Sequence, residues 1–189
     1  MADFLRQLEE FVPRTPGEAG DRQLILQCIR AFGARAVLSR CCLAAHITAS
    51  GYVMDPSRTQ VLMAHHNIYK TWSWTGGHAD GERDLLSVAL REVREETGIR
   101  TLIPLGEAPA SVEVLTVQSH WKRGAYVPSH LHLNFTYLME APPDQPLASR
   151  PGENSAVGWL PAARLGEFCN EPFMVELYNK LTSYAQERK

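Results

Sequence analysis

The sequence has little cysteine, and the spacing of the cysteines excludes two common roles for them. The four are Cys28, Cys41, Cys42 and Cys169. None forms a Cys-X-X-Cys pair and two are adjacent, so the pattern predicts neither a disulfide framework nor a structural zinc site built on thiolates. We therefore expect reduced, mostly buried thiols and a cytoplasmic location.

The chain has no excess of either charge. It carries 19 Lys and Arg against 21 Asp and Glu, which gives a formal net charge of -2. A protein that holds a long polyanion by general electrostatics needs a basic surface. We therefore expect no nucleic-acid partner.

Long apolar runs are also missing. The first residues, MADFLRQLEEF, are charged and amphipathic, unlike the basic segment and apolar run of a signal peptide. No stretch is long enough to predict a membrane span, and no repeat or low-complexity tract is present. At 189 residues and 44% hydrophobic residues, one globular core is expected, with room for an extension.

The most informative stretch that is present runs from residue 76 to residue 99 and reads GGHADGERDLLSVALREVREETGI. Between Asp84 and Thr97 apolar residues recur at three- and four-residue steps, which predicts a helix with one apolar stripe. Gly98 supplies the left-handed residue that ends such a helix. The stripe consists of Leu86, Ala89, Leu90, Val93 and Thr97.

Three carboxylates lie on one side of this predicted helix. Glu92 is three residues before Glu95 and four before Glu96, so the side chains are neighbours. Like charges at this spacing cost roughly 0.2–0.5 kcal/mol per pair, and the helix dipole disfavours anions in the last turn by roughly 0.3–1 kcal/mol. Two arrangements offset that cost. Arg91 can pair with Glu95 on a solvated face, or a divalent cation can bind the carboxylates.

The flanking residues resemble the Nudix box, in which Gly, five residues, Glu and seven residues precede Arg-Glu-apolar-X-Glu-Glu-X-Gly-apolar. The positions that match in register are Gly77, Arg91, Glu92, Val93, Glu95, Glu96, Gly98 and Ile99. One position departs, because Arg83 stands where the family has its first Glu and Glu82 precedes it. We expect the loop to present Glu82 in that place, with Asp80 capping the helix.

The resemblance implies an enzyme and assigns roles in it. Nudix enzymes hydrolyse a nucleoside diphosphate linked to another moiety, here a small-molecule substrate, with Mg²⁺ or Mn²⁺ as cofactor. Glu92, Glu95, Glu96 and the Gly76 carbonyl would hold the metal. The implied catalytic residues are Glu92, Glu95 and Arg91, the last of which would orient the glutamates.

The general base stays open at this stage. One box glutamate can serve, but in several Nudix subfamilies the base lies on a later loop. The later candidates are Glu113, Glu140 and Glu153, each of which also fits an ordinary surface carboxylate.

The resemblance and the order of predicted elements agree on the fold class. Strands are predicted at about residues 42–54, 60–66, 112–120, 131–140 and 156–160, and a terminal helix at 171–187. This order predicts an α/β fold, the Nudix-type α/β/α sandwich with a mixed sheet. Helices at about 2–12 and 21–32 form an N-terminal helical extension, residues 1–40, before a Nudix hydrolase domain, residues 41–189. The extension packs on the core, forms a homodimer contact or caps the substrate.

Several aromatic and imidazole side chains are candidates for substrate binding. His65 and His66 end a strand near the expected position of the Gly76-Gly77 loop. Tyr126 lies in a predicted loop, residues 121–129, with Trp121, Lys122 and Arg123. Aromatic and basic residues together suit a base or a phosphate, and a solvated loop tip fits equally.

His130 and His132 alternate on one face of a predicted strand. With His120 on the neighbouring strand they offer three imidazoles to zinc. Substrate contact and a purely structural face are the other two interpretations. His46, in the middle of its strand, is interpreted as a structural histidine.

A second class of function also stays open. Some proteins of the Nudix fold bind nucleotides as regulators without hydrolysing them. Such proteins typically have a degraded box and an added DNA-binding domain, whereas the acidic core is intact here. The enzyme is therefore the favoured prediction, and the nucleoside diphosphate derivative is not identified.

Overall fold

A mixed eight-stranded sheet forms the centre of the fold. The structure is a computed structural model and describes residues 3–68, 70–122 and 124–188. The helices are α1 (Phe4–Glu10), α2 (Pro16–Phe32), α3 (Ala34–Val37), α4 (Leu85–Thr97) and α5 (Pro172–Gln186), with a 3₁₀ helix at Ala162–Glu167. The strands are β1 (Ala45–Met54), β2 (Gln60–His66), β3 (Trp72–Ser73), β4 (Thr75–His78), β5 (Ile103–Pro104), β6 (Ser111–Val117), β7 (His120–Lys122), β8 (Ala125–Val127), β9 (His130–Glu140) and β10 (Asn154–Pro161).

The sheet has the order β10-β2-β1-β9-β5, with β3 on β2, β4 on β1 and β6 on β9. Strands β1 and β9 are parallel, from Ala45 opposite Leu131 to Met54 opposite Glu140. Because side chains alternate between faces, residues that are paired in this register share one face of the sheet.

Helices cover both faces, as predicted for a Nudix-type sandwich. On one face Ile47 and Phe135 belong to a core that includes Phe4 and Ile25 of the first two helices and Val93 of α4. On the other face a second core consists of Tyr52, Met63 and Leu138 from the sheet with Leu177, Tyr178 and Leu181 of α5. The predicted α/β fold with a mixed sheet is therefore confirmed.

The N-terminal extension shares its core with the rest of the chain. Phe4 and Leu8 are fully buried in the core that also contains α4, and the Phe4 ring lies edge-on to Phe135 with centroids 6.3 Å apart. Gln7 Nε2 donates to the main-chain oxygen of Glu107, and Tyr137 donates to Gln7 Oε1. Packing against the core is thus the geometry observed for residues 3–40.

The Nudix-like helix forms where the sequence predicts it. It runs Leu85–Thr97, and Gly98 ends it in the left-handed region with φ 74°. The predicted cap was wrong. Asp84 accepts from the Ser87 N–H at 3.2 Å, whereas Asp80 pairs with Arg40 at 2.7 Å. Asp84 directly precedes the first helical residue, so only its carboxylate reaches the exposed first-turn amides.

Two other predicted elements differ from the structure. The second helix begins at Pro16 rather than near residue 21, because the Thr15 side chain caps it and proline suits a first helical turn. The segment 121–129 is not an open loop. Strands β7 and β8 pair as a hairpin, with Trp121 opposite Tyr126 and Gly124 at φ 80° in its turn. Arg123 lies outside the described residues.

The described helices include none that combines the length and the apolar character needed to cross a membrane.

Candidate functional site

Strand β4 brings two glycines against the acidic side of α4. Gly77 faces the box helix, and a Cβ atom at this position would lie 2.5 Å from Glu92 Cδ. Gly76 lies opposite Ser50 of β1, and a Cβ there would lie 2.7 Å from the main-chain oxygen of Ala49. Contacts under about 3 Å are too short for carbon. Position 76 therefore requires glycine because it meets the backbone of β1, whereas a side chain at position 77 would displace the Glu92 side chain.

Glu96 is the most deeply buried of the three box carboxylates, with 7% of its surface exposed. Its Oε1 accepts a hydrogen bond from the Gly76 N–H at 3.0 Å. Burial raises the pKa of Glu96 to about 8, and this one donor offsets the cost only in part. Burial and the neighbouring Glu95 also raise the pKa of Glu92.

Arg150 is the cation that lies among these carboxylates. Its Nη1 is 2.8 Å from Glu95 Oε2, 3.2 Å from Glu153 Oε2 and 4.0 Å from Glu92 Oε2. The predicted pairing of Arg91 with Glu95 is therefore wrong, since Arg150 reaches Glu95 from the loop before β10. Arg91 Nη2 lies 3.6 Å from Glu92 Oε1 instead.

Asn154 ties the loop that carries Arg150 and Glu153 to the end of α4. This residue is 4% exposed. Its side-chain amide donates to the main-chain oxygen of Glu96 at 3.0 Å, and its Oδ1 accepts from the Arg150 N–H at 2.9 Å. The loop is held so that Glu153 stands beside the box glutamates, whose pKa values it helps to raise.

This arrangement places more negative than positive charge at the end of α4. Four carboxylates (Glu92, Glu95, Glu96 and Glu153) share one nearby arginine, Arg150, with Arg91 at the edge. The buried Glu96 side chain has no ion-pair partner within 4 Å in the described parts of the chain. Carboxylate oxygens are the ligands that Mg²⁺ and Mn²⁺ take, but among the described residues it is three histidines, not these glutamates, whose ligand atoms lie within 4.8 Å of one another.

His65 and His66, the two histidines of β2 that were predicted to contact substrate, lie near the loop that carries Arg150 and Glu153. His66 is opposite Asn154 across the β2–β10 pair, and its Nδ1 accepts from the Ile68 N–H at 3.1 Å. The next residue, Asn67, donates its N–H to the main-chain oxygen of Glu153. His65 instead hydrogen-bonds Ser155 Oγ at 2.8 Å and lies edge-on to Trp72.

The loop before α4 gives no direct sign of a role for Glu82. Its side chain is exposed, and its N–H donates to the main-chain oxygen of Ala79. Arg83 points the other way, because its Nη2 lies 2.6 Å from Asp3 Oδ2 and its guanidinium lies over the Phe4 ring. Arg83 thus contacts α1 and its preceding residue, and it does not join the acidic cluster formed by Glu92, Glu95, Glu96 and Glu153.

The structure separates the three later glutamates. Glu113 is 2% exposed and accepts from Asn134 and Thr136, with Lys180 Nζ at 3.4 Å. Glu140 pairs with Arg58 at 2.7 Å, at the end of β9 that lies beside Met54. Of these candidates for a general base, only Glu153 lies at the acidic cluster.

The remaining predicted substrate contacts, Tyr126, His130 and His132, lie near the start of β9, away from Gly76 and the acidic cluster. His130 begins this strand, and Thr136 is level with Ser50 and Gly76. Six residues of strand separate His130 from that level, or about 20 Å at about 3.3 Å per residue. Tyr126 lies exposed on the β7–β8 hairpin, with its ring 5.7 Å from that of Trp121.

His130 and His132 do converge, but not with the predicted third histidine. His46 completes a group whose ligand atoms lie within 4.8 Å of one another, whereas His120 Nδ1 hydrogen-bonds the main-chain oxygen of Gln118. The interpretation of His46 as a structural histidine stays a prediction; β1 places this residue opposite His132. Burial and the neighbouring imidazoles, His78 first, lower the pKa of His132 to about 2.

A comparison with protein-family models matches this chain to the NUDIX domain over residues 44–181. The chain belongs to the Nudix family. As a member of this family it is a hydrolase that acts on pyrophosphate bonds. In this Nudix chain, α4 carries the helical part of the box and β4 carries the glycines that face it.

Solved structures show the same fold at low identity. An Ap4A hydrolase of C. elegans, in a binary complex, has a TM-score of 0.56 and 16% identity over 75% of this chain and 98% of its own. The Nudix hydrolase RenU of M. smegmatis has a TM-score of 0.55 and 16% identity over 75% of this chain and 86% of its own. The E. coli dihydroneopterin triphosphate pyrophosphohydrolase has a TM-score of 0.54 and 16% identity over 72% of this chain and 94% of its own. The search of curated proteins returned no match.

Sequence reasoning missed two residues of this Nudix site. Arg150 and Asn154 lie 55 and 58 residues from the glutamates they contact, in an irregular segment with no periodicity to read. The only available signal was the short run Arg150-Pro-Gly-Glu153-Asn154, in which a Pro-Gly turn is flanked by polar side chains.

Proposed function

We propose that this Nudix hydrolase cleaves a nucleoside diphosphate linked to another moiety, and that it depends on Mg²⁺ or Mn²⁺. The observation that carries this proposal is that Glu92, Glu95 and Glu153 lie around Arg150, with the buried Glu96 on the same turn of α4. A diphosphate brings more negative charge to a site that is already anionic. A divalent cation must therefore accompany it for the two to approach.

Glu92, Glu95 and Glu96 would hold the metal, with the Gly76 carbonyl as a further ligand. Bound there, Mg²⁺ neutralises phosphate oxygens and lowers the pKa of water. The protein contributes the fixed positions. Gly77 allows Glu92 to pack on β4, and the Gly76 N–H orients Glu96.

Arg150 and Arg91 would position the carboxylates rather than bind the metal. Arg150 contacts Glu95 and Glu153 at once, so it fixes the loop against the helix. Arg91 reaches Glu92 from the exposed side of α4. Arginine also suits phosphate oxygens, so either guanidinium could contact the substrate.

Glu153 is the best-supported general base. Its carboxylate is half-exposed at 44%, lies beside the box glutamates and belongs to a loop held by Asn154. Glu153 would accept the proton of the attacking water, and the leaving phosphate would depart from the other side of the phosphorus.

The substrate class rests on the family and on the names of two relatives. One is an Ap4A hydrolase and another a dihydroneopterin triphosphate pyrophosphohydrolase. His66 is the predicted substrate contact that lies closest to the Glu153 loop. Contacts by His65, Tyr126, His130 and His132 stay predictions.

A cytoplasmic location is part of the same proposal. All four cysteines are free, and Cys28 and Cys169 are buried. Burial raises the pKa of both of these thiols, which keeps them protonated and unreactive. Free thiols of this kind suit a reducing compartment.

A panel of diphosphate compounds tests the proposed function. Nucleoside diphosphate sugars, dinucleoside polyphosphates, nucleoside triphosphates and dinucleotide cofactors are each incubated with the protein and Mg²⁺, and release of a monophosphate or pyrophosphate is followed. The proposal expects cleavage of at least one class at a diphosphate bond. Binding of these compounds without cleavage of any would contradict it and favour a regulatory protein.

A further inference from the structure

Four histidines from three strands meet on one face of the sheet. His46 of β1 lies opposite His132 of β9, and His78 of β4 lies opposite Thr48 of β1. By alternation all of these side chains, together with that of His130, project from the same face. The His46 ring centroid lies 4.6 Å from that of His130, 4.9 Å from that of His78 and 5.1 Å from that of His132.

The hydrogen bonds of two of these rings fix their tautomers. His46 Nδ1 lies 3.2 Å from the main-chain oxygen of Cys42, and His130 Nδ1 lies 2.8 Å from that of Pro128. A carbonyl oxygen only accepts, so each Nδ1 carries the proton and each Nε2 has a free lone pair. A carbonyl that holds Nδ1–H is also the usual partner of a histidine that ligates a metal through Nε2.

Without a metal, the Nε2–H of His132 donates to the Nε2 of His130, and a metal ion would take the place of this proton. His130 Nε2 lies 3.2 Å from His132 Nε2. His46 is 5% exposed, and its Nε2 is buried with no hydrogen-bond partner in the described parts of the chain. A cluster that only packs would leave this acceptor without compensation, which costs about 1–3 kcal/mol.

We propose that His46, His130 and His132 bind one Zn²⁺ ion, at a site separate from the acidic cluster of α4. Nitrogen atoms at about 2.0–2.1 Å from tetrahedral zinc are about 3.3–3.4 Å apart, close to the observed separation in the His130–His132 pair. All three ligand atoms lie within 4.8 Å, so small ring rotations complete the set.

The ligand chemistry separates this site from the proposed Mg²⁺ site. Neutral imidazoles select zinc over Mg²⁺, which takes carboxylate and other oxygen ligands. No carboxylate belongs to the described histidine group. His78 adjoins the open fourth position, since its ring is 5.0 Å from that of His132. The ion would add a cross-link between β1 and β9, which already pair in the sheet.

The experiment measures metal in the full-length protein after chelation and dialysis. Zinc is added in the presence of excess Mg²⁺, so that the acidic cluster is occupied, and zinc per chain is determined by elemental analysis. One zinc per chain is expected, with an increase in the Tm of the protein because zinc binds the folded state. Zinc that is lost on a single desalting step would overturn the proposal.

Matched variants assign the ion to its ligands. His46→Gln and His132→Gln are expected to lose the bound zinc. His65→Gln, which changes a histidine outside the group, and Glu95→Gln, in the acidic cluster, are expected to keep it. Retention of zinc by both histidine-group variants, or its loss in Glu95→Gln alone, would overturn the assignment.

Cobalt substitution decides the question without any variant. Co²⁺ bound by three imidazoles in a tetrahedral site gives an intense visible spectrum, whereas six-coordinate Co²⁺ at a carboxylate site is pale. If a histidine variant does not fold, this spectrum of the wild-type chain is sufficient. The intense spectrum supports the proposal, and a pale one overturns it.

Discussion

At the scale of single residues, Glu96 carries the largest uncompensated electrostatic cost near the proposed catalytic site. Its carboxyl is buried at the C-terminal end of α4, where the helix dipole also disfavours an anion. The one hydrogen bond from Gly76 does not offset this cost, and the pKa of Glu96 rises to about 8. Without metal, the folded state therefore holds a proton here that the unfolded chain releases.

The first prediction follows from that proton. In EDTA, the free energy of unfolding should fall as pH rises from about 4.5 to about 8, because the folded state binds one more proton than the unfolded state in this window. Glu96→Gln should remove this part of the pH dependence and be the more stable protein at pH 8. Urea unfolding of both proteins at several pH values measures the difference.

That prediction has a specific control. Glu176→Gln changes an exposed glutamate on α5 and should leave the pH dependence unchanged. A Glu96→Gln protein that unfolds at lower urea than wild type at pH 8 in EDTA would mean that ionised Glu96 stabilises the fold.

The second prediction concerns Glu153 as the base. Glu153→Gln should lower kcat by about a hundredfold or more, as expected for loss of a general base, while Mg²⁺ binding and the free energy of unfolding change little. Glu176→Gln again serves as the matched control. Steady-state kinetics on the compound found in the panel measure the effect, and a Glu153→Gln enzyme with near-normal kcat would assign the base to a box glutamate.

The third prediction separates the two residues at the departure from the Nudix box. Glu82→Gln should lower the rate at saturating metal if the loop presents Glu82 in place of the family's first glutamate. Arg83→Ala should leave the rate nearly unchanged, because Arg83 contacts Asp3 and Phe4. Equal, small effects on kcat from both variants would show that the enzyme works without that first carboxylate.

At the scale of secondary-structure elements, the N-terminal helices are joined to the sheet through a buried polar network. Glu18 of α2 is 2% exposed. It accepts from the Arg14 N–H, from Ser111 Oγ and from Tyr184, and Lys180 Nζ lies 3.1 Å away. Burial raises the pKa of Glu18, but these hydrogen bonds and Lys180 outweigh it, so the pKa is lowered overall.

The fourth prediction is that this network stabilises the fold. Glu18→Gln should cost about 1.5–3 kcal/mol of unfolding free energy, the usual value of hydrogen bonds to a charged group. Because the folded-state pKa is lowered, the contribution of Glu18 is present above pH 4.5 and is lost as pH falls through the lower folded value. Urea unfolding at pH 7 and at pH 3 measures it. Glu9→Gln, on an exposed position of α1, is the control, and equal stability of both variants would contradict the prediction.

The elements that the sequence predicts well are those with a local pattern. The period of α4, its end at Gly98 and the strands around residues 45–66 and 130–140 could be read from neighbours in sequence. Short pieces such as β7 and β8 could not, because three residues each are too few for periodicity to be distinguished from an irregular loop.

At the scale of the whole molecule, the acidic cluster of α4 and the histidine group of the sheet are two separate proposed metal sites. The box carboxylates could be located from sequence because they lie on one helix. The additional residues of both groups could not. Arg150 and Asn154 reach the end of α4 by side-chain hydrogen bonds over 55 and 58 residues, and His46 and His78 join the histidine group through strand pairing. Topology, rather than spacing, decides such contacts. The predicted homodimer likewise stays a prediction.

The measurement that most directly tests the central claim is turnover of the panel substrate in EDTA, followed by addition of excess Mg²⁺ or Mn²⁺. The same assay is made on wild type and on Glu95→Gln, whose fold is checked by circular dichroism. Metal held by the box glutamates predicts no turnover in EDTA, full recovery on adding metal to wild type, and none in the variant. Full turnover in the chelator, or near-normal turnover of a folded Glu95→Gln protein, would contradict the claim that these carboxylates hold a catalytic divalent cation.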